Sequence, residues 1–465
     1  MQVGKGAPVR IYEETIRFKT ERSSFFHLAP PPRTTNPTSP LLGNDAFYPV
    51  LKDKFTDSHS LYLFCSGGRG HRSAKEALVE EALHPIYTEM REQYPHDTRC
   101  RDFASFLSYC ITQKWVSELD VLKDCLGCMG KGFSHLWNWA LQKCHPKIIH
   151  ALVALQGMFD SVYGLIIFLR ILWVLWKKKI SRVISTQPLG LKATLWAIRI
   201  YNRCIKKNLE LPISVSLYLT DFPSKGASHF LRPLQDLPEG SKNLLHLYLP
   251  SPNRSGHTTP SLLSHFSQEK IQLLPSDRFP VRKAFRIRQP SHLHGEENAF
   301  FCMLGSHPHW PTLVSYLSLF QRTAKKWPRK NWSLFLYRGD TSSARLKKQA
   351  ALSPSNLRVA LLGPQSAEQL SSLFWNCHTI TRAGGSTLME LISLEHQRQN
   401  ANVSLKWRDI HTEQALYEVP SWERENANIF LKNLVEGQSR LVSPSTYASI
   451  RLDESGFDIA KTCVT

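Results

Sequence analysis

The sequence predicts an α/β protein built from two Rossmann-like units, each with a parallel sheet. Residues 61–65 form a short apolar run, a glycine-rich turn follows at 66–70, and a helical pattern covers 73–83. Strand, glycine turn and helix in this order begin a βαβ unit. A second alternating unit begins near Pro280, and the length of 465 residues fits two domains of about 150–250 residues each.

The first unit continues as alternating strands and helices. Residues 182–186 and 213–219 have the pattern of short strands, and a basic helix is expected between them at 191–207. Residues 104–147 have a helical, aromatic-rich pattern without sharp boundaries. A Pro- and Ser-containing loop is expected at 250–260.

The most apolar stretch includes a predicted helix at 161–176, which carries Arg170 and is followed by three lysines at 177–179. It is shorter than the roughly 20 apolar residues that a membrane-spanning helix needs, so spanning is the least favoured interpretation. Two others stay open. The helix is either buried against the sheet, or it lies in a membrane interface with Trp173 and Trp176 among the headgroups and the lysines on anionic phosphates.

The second unit has a regular alternation. We expect strands at 299–304, 332–337, 357–362 and 379–381, and helices at 312–326, 367–374 and 386–394. The chain is therefore divided into an N-terminal extension at 1–57 that is partly irregular, a first Rossmann-like domain at 58–275, a second at 276–435 and a C-terminal tail at 436–465.

Composition narrows the functional classes. A hydrophobic content of 42% excludes a disordered or collagen-like chain, and 58 basic against 38 acidic residues give a net charge of +20. This excess predicts an anionic partner: nucleic acid, an acidic membrane surface or a phosphorylated small molecule. The basic residues are scattered and no nucleic-acid motif is present, so we expect no nucleic acid partner.

The cysteines and the first residues indicate a reducing compartment. Residues 1–10 lack the apolar stretch of a secretory signal, which predicts a cytoplasmic protein. A zinc site would have to join Cys125 and Cys128 to the adjacent residues Cys144 and His145, and adjacent side chains rarely converge on one metal. We therefore expect free thiols and no metal site.

The sharpest motif is the segment at 381–390. A short strand leads into Gly384 and Gly385, and a helix begins at Ser386 or Thr387. Glycines allow a ligand to approach the backbone, and the unpaired N–H groups of a helix start attract phosphate. Glu390, about one turn further, suits a pair of ribose hydroxyls. The alternative is a capping box that satisfies only the helix end.

The second motif is the first-domain turn, which is followed by His71 at the start of a helix. It matches neither the Walker A loop nor the dinucleotide fingerprint. A histidine at this position can deprotonate a hydroxyl, and the positive helix end disfavours its protonation. The alternative is a structural histidine that bonds to the loop. The residues of this turn are Ser66, Gly67, Gly68, Arg69 and Gly70.

These segments, in this order, resemble glycosyltransferase family 28 of the GT-B fold. The family includes monogalactosyldiacylglycerol synthases and the N-acetylglucosaminyltransferase that makes the lipid-linked peptidoglycan precursor. The resemblance extends over about residues 61–432. The segments that carry it are 64–74 (FCSGGRGHRSA), 183–188 (VISTQP), 219–222 (LTDF), 280–282 (PVR), 381–390 (TRAGGSTLME) and 420–427 (PSWERENA).

The resemblance implies a two-domain GT-B glycosyltransferase whose sheets face each other across a cleft. It implies inverting, metal-independent transfer from a UDP-sugar bound by the second domain to an acceptor hydroxyl held by the first-domain turn. His71 would be the base, and Asp221 would either orient it or act as the base itself. The residues implied at the donor site are Gly305, Arg382, Ala383, Gly384, Gly385, Ser386, Thr387 and Glu390, with Glu423 and Asn426 facing the sugar.

The implied partners are a nucleotide sugar, a lipid or lipid-linked acceptor and an anionic membrane surface, with no cofactor beyond the substrate. We therefore expect a cytoplasmic protein that associates peripherally with membranes. Three alternatives belong to other classes. They are an epimerase-type relative, a non-catalytic relative, and a basic scaffold or nucleic-acid-binding protein.

Overall fold

A computed structural model contains two α/β domains. It describes residues 47–55, 59–67, 70–143, 145–204, 212–224, 227, 234, 237–251, 263, 266–287, 299–339, 344–382, 384–400, 408–410, 422, 423, 425, 426, 429, 448–451 and 458–461. Residues 252–260 of the predicted loop and most of the extension at 1–57 lie outside these residues.

The first domain contains a six-stranded, fully parallel sheet with the order β2-β1-β3-β4-β5-β6. Its strands are β1 Ser60–Phe64, β2 Val116–Asp120, β3 Arg182–Ser185, β4 Val215–Tyr218, β5 Leu245–Pro250 and β6 Ile271–Leu274. Its helices are α1 Phe47–Lys54, α2 Gly70–Gln93, α3 Phe103–Thr112, α4 Leu126–Gln142, α5 Pro146–Lys178, α6 Leu191–Cys204 and α7 Glu239–Lys242.

The second domain contains a five-stranded parallel sheet with the order β11-β10-β7-β8-β9. Its strands are β7 Ala299–Met303, β8 Trp332–Tyr337, β9 Leu357–Leu362, β10 His378–Thr381 and β11 Arg408–Ile410. Its helices are α8 Trp310–Lys326, α9 Ala344–Ala351, α10 Ala367–Asn376 and α11 Gly385–Asn400. A separate antiparallel pair joins β12 Ala448–Arg451 to β13 Asp458–Lys461.

Helices cover both faces of each sheet, as parallel sheets require. In the first domain one core lies between the sheet, α5 and α6, and the other lies under α1, α2 and α3. The second domain also has a core on each face of its sheet. The prediction of two Rossmann-like domains with parallel sheets is therefore confirmed.

The strand order of each sheet marks where a ligand can bind. In the first sheet the winding direction changes between β1 and β3, and in the second between β7 and β10. Loops that follow neighbouring strands diverge at such a switch point and leave a crevice at the carboxyl ends of the strands. The glycine turn after β1 and the glycine turn after β10 both lie at these points.

The structure differs from the sequence prediction in several elements. β2 lies within the stretch predicted as helical, and β5 and β6 were not predicted. The first domain also begins earlier than the predicted boundary at 57, because Phe47, Leu51 and Phe55 of the α1 region are buried beside Tyr62 of β1.

Helix α5 combines features of the buried and the interfacial interpretations. Ile167, Ile171 and Leu175 are buried in the first-domain core. Another set of side chains on the same helix is exposed: Val162, Leu165, Ile166, Leu169, Trp173 and Trp176. Within the residues that the structure describes, no helix is both long and apolar enough to cross a membrane.

Candidate functional site

The first-domain glycine turn connects β1 to α2. The Ser66 and Ser134 hydroxyls lie 3.0 Å apart, and Gly67 lies under Trp137 of α4. Gly70 is the first residue of α2. Gly68 and Arg69 lie outside the described residues. Helix α4 thus packs on the turn that the sequence assigns to the acceptor.

His71 is held by the loop that follows the neighbouring strand β3. Its Nδ1 lies 2.6 Å from the carbonyl oxygen of Thr186, and the Thr186 hydroxyl donates to the His71 carbonyl over 2.9 Å. A carbonyl only accepts hydrogen bonds, so Nδ1 carries the proton and Nε2 is the basic nitrogen of the neutral ring.

The surroundings of His71 favour the neutral ring. Burial lowers the pKa of His71 below its usual range, although the Asp221 carboxylate and the hydrogen bond to Thr186 act in the opposite direction. His71 and Asp221 line one cavity of about 10 Å³ together with Pro188, Thr220 and Phe222. This volume holds about one water molecule.

Asp221 follows β4 and reaches the second domain. Its Oδ1 accepts hydrogen bonds from the backbone N–H of Gly385 at 3.3 Å and from Asn426 Nδ2 at 2.9 Å. Its Oδ2 accepts from the Thr220 hydroxyl at 3.3 Å. The two residues predicted to do the acid–base chemistry therefore lie where the domains meet.

The second-domain glycine turn connects β10 to α11. Helix α11 begins at Gly385, one residue before the earlier of the two predicted starts, Ser386 and Thr387. Gly384 is half-buried with open space beside it, and Thr387 is also half-buried. The Ser386 hydroxyl donates to the carbonyl of Gly70 over 3.2 Å, which joins the two glycine turns. Ala383 lies outside the described residues.

Arg382 forms a two-pronged ion pair with Glu423. The Nε–Oε2 and Nη2–Oε1 distances are 2.7 and 2.8 Å, and both side chains are largely buried. Gly305, at φ +81°, lies beside this guanidinium, and a Cβ there would stand 3.8 Å from Arg382 Nη1. A backbone with positive φ strongly favours glycine. Arg382 and Glu423 are thus brought together, with Glu423 bound to protein instead of open to a sugar.

Glu390 also has a protein partner. Arg282 Nε donates to Glu390 Oε1 over 2.7 Å, and the side chains are only 14% and 7% exposed. Burial raises the pKa of Glu390, although Arg282 acts in the opposite direction. The sequence motif at 280–282 predicted the start of the second domain but did not predict that Arg282 pairs with Glu390.

Asn426 bonds to the first domain. Its Oδ1 accepts from the Phe222 backbone N–H over 3.1 Å, while its Nδ2 donates to Asp221. Nearby, Trp422 stacks on Trp137 with ring centroids 6.4 Å apart. The segment predicted to face the donor sugar therefore crosses to the first domain, and Trp137, Trp422 and Thr186 are contacts that the sequence did not reveal.

Among the described residues, no group of three His, Cys, Asp or Glu side chains is arranged to hold a metal ion. Cys125 and Cys128 have free thiols, and burial raises the pKa of Cys125 to about 12. Cys144 lies outside the described residues.

No family model and no curated protein matches the sequence. Among solved structures, MurG from Acinetobacter baumannii is similar at 13% identity and a TM-score of 0.37, over 81% of this chain and 91% of that one. UDP-GlcNAc 2-epimerase from Neisseria meningitidis, bound to UDP-GlcNAc, has 13% identity and a TM-score of 0.34, over 82% and 99%. The glycosyltransferase VinC in complex with dTDP has 14% identity and a TM-score of 0.35, over 82% of this chain and 98% of VinC.

At these identities and TM-scores the likenesses assign no activity to this chain. Its two-domain α/β architecture follows from its own sheets and strand order. Membership of glycosyltransferase family 28 stays a prediction from the sequence motifs.

Proposed function

We propose that this protein is a glycosyltransferase that moves a sugar from a UDP-sugar to an acceptor hydroxyl. The observation that supports it most is the junction of the two glycine turns. His71, with Nδ1 held by the Thr186 carbonyl, follows Gly70, and the Gly70 carbonyl accepts from Ser386 at the start of α11. A base and a helix start suited to an anion therefore lie side by side.

In the proposed reaction His71 is the base and the start of α11 binds the leaving group. The acceptor hydroxyl gives its proton to Nε2 of His71 while its oxygen forms a bond to the anomeric carbon of the donor. The bond from that carbon to the diphosphate oxygen breaks, and the leaving diphosphate takes up the electron pair. Its negative charge is stabilised by the N–H groups at the start of α11, so the reaction requires no metal.

The test is a panel of UDP-hexoses with release of UDP as the readout, with and without lipid vesicles as a source of acceptor. His71→Ala should lower turnover by about 10²–10⁴-fold, because the proton acceptor is lost, and should leave UDP affinity nearly unchanged. His135→Ala, at an exposed position of α4, is the matched control. Full turnover of His71→Ala, or no UDP release from any donor, would contradict the proposal.

The acceptor belongs to the same proposal: a lipid or lipid-linked hydroxyl presented at an anionic membrane. The exposed apolar side chains of α5 support it, together with the basic residues that adjoin them. Arg170 and Lys177 lie 4.9 and 4.4 Å from the ring centroid of Trp173, and both are exposed. An apolar helix face beside cations is typical of interfacial binding.

A further inference from the structure

The start of α11 has an occupant in this structure: the carboxylate of Asp221 from the other domain. The Gly385 N–H and Asn426 Nδ2 both donate to Asp221 Oδ1, at 3.3 and 2.9 Å. A carboxylate is a stabilising anion at a helix N-terminus, because the unpaired N–H groups there carry partial positive charge. Asp221 Oδ1 therefore accepts the hydrogen bond from the Gly385 N–H that a phosphate oxygen of the sugar nucleotide would otherwise accept.

The two domains pack closely at Gly385 and Gly70. A Cβ added at Gly385 would overlap the carbonyl oxygen of Thr220 and would lie 2.7 Å from the Cα of Asp221. On the other side, a Cβ at Gly70 would lie 3.1 Å from the Ser386 hydroxyl. The cavity beside His71 and Asp221 has a volume of about 10 Å³, which holds about one water molecule. The first domain thus packs directly on Gly385 and Ser386 at the start of α11.

We propose that Asp221 is a built-in competitor of the donor diphosphate, which holds the ligand-free cleft closed by occupying the start of α11. The competition with a diphosphate rests on the proposed function. The contact of Asp221 with Gly385 and Asn426 does not depend on it. A nucleotide can bind only to molecules in which Asp221 has left Gly385. The apparent affinity for UDP is therefore reduced by the fraction of molecules that is open.

The binding test uses UDP alone, measured by calorimetry on the full chain. Asp221→Ala should bind UDP about tenfold more tightly than the parent, since a closed population of about 90% is removed. Asp221→Asn keeps the size but loses the charge, and it should gain less. Asn426→Ala should also bind UDP more tightly, because UDP lacks the transferred hexose that Asn426 is predicted to face and because Asp221 loses a hydrogen-bond donor. Unchanged or weaker UDP binding in the folded variants would overturn the competition.

A second measurement does not depend on nucleotide. Hydrogen exchange at the backbone amides of residues 385–387 in the ligand-free protein should be faster in Asp221→Ala than in the parent, because the Gly385 amide loses its acceptor. Unchanged exchange would overturn the closing contact. Faster exchange with no UDP binding by the parent or any variant would show that the domains close through Asp221 but that the proposed donor, and with it the competition, is wrong.

Discussion

At the scale of single residues, the site depends on hydrogen bonds and ion pairs between residues that are distant in the sequence. Arg282 and Glu390 are 108 residues apart, and Gly385 and Asp221 are 164 apart. The sequence predicted the glycine turns and His71 because a turn and a helix start are local features. It did not predict the ion partners, because nothing local specifies which distant arginine reaches a buried carboxylate.

Removing one partner of the Arg282–Glu390 pair should destabilise the protein strongly. Arg282→Met leaves a buried carboxylate without its cation, which should lower the free energy of unfolding by about 3–5 kcal/mol. The double variant Arg282→Met, Glu390→Met should recover much of this loss, since no buried charge remains. The measurement is urea unfolding followed by circular dichroism.

The exposed pair Arg72–Glu76 is the matched control for this experiment. Its side chains are 56% and 41% exposed, with an Nε–Oε1 distance of 2.9 Å. Solvent screens such pairs, so Arg72→Met should change the free energy of unfolding by less than about 0.5 kcal/mol. A loss at Arg282 no larger than the loss at Arg72 would show that the buried pair is not structurally important.

The sequence prediction that Glu390 binds the ribose of the donor can be tested directly. Glu390→Ala should weaken binding of the UDP-sugar by about 1.5–3 kcal/mol, because a charge-assisted hydrogen bond to the ribose is lost. Comparison of UDP with 2′-deoxy-UDP by calorimetry separates this effect from misfolding. The parent should prefer UDP and the variant should not. Equal preference in both proteins would remove Glu390 from the ribose site.

The acid limb of the pH–rate profile should report His71. Burial lowers the pKa of His71 from its usual 6.5, so the ring stays neutral as the pH falls to that value and gains a proton only below it. Activity should therefore be level from pH 8 to 6.5 and fall at lower pH. Asp221→Asn removes a carboxylate that favours the protonated ring, so it should move the limb to lower pH. A limb above pH 6.5 would indicate a different base.

At the scale of secondary structure elements, prediction succeeded where a strand is apolar on both faces. β8 and β9 begin and end at the predicted residues, and nearly every position in them is buried. β2 was missed because it is an edge strand that contains Glu118 and Asp120. Its acidic residues interrupt the apolar run by which a central parallel strand is recognised.

Helix α4 offers a test of close packing at a single glycine. A Cβ at Gly130 would overlap the carbonyl of Leu122, whereas a Cβ at Gly132 on the same helix would meet nothing within 4 Å. Gly130→Ala should therefore destabilise the protein by about 1–3 kcal/mol. Gly132→Ala should stabilise it by up to about 1 kcal/mol through helix propensity. Thermal unfolding of the two variants checks both signs, and equal shifts would contradict the packing of α4 on Leu122.

At the scale of the whole molecule, the net charge of +20 and the exposed face of α5 bear on the proposed membrane surface. Replacing Lys177, Lys178 and Lys179 with Gln should reduce binding to anionic vesicles at low salt, by roughly 1 kcal/mol for each lysine near the surface. Replacing Trp173 and Trp176 with Gln should reduce binding at both low and high salt, because the apolar contribution is not screened.

Trp327→Gln is the matched control for the vesicle experiment. Trp327 is 46% exposed and has Lys330 5.4 Å from its ring centroid, but it belongs to the second domain. Its loss should leave vesicle binding unchanged. Equal partitioning of the parent and both α5 variants would show that α5 does not contact the membrane.

The segment that contains Trp422 limits how the two domains can separate. The chain passes from the first domain to the second between β6 and β7, and Trp422 then packs against the first domain again, beside Ala140 and Leu152. Two domains that are connected at two places cannot separate freely. They can rotate about a hinge axis that runs through the two connections. Rotation of this kind would let the proposed transferase admit and release its substrates while its catalytic groups return to the same alignment on every turnover.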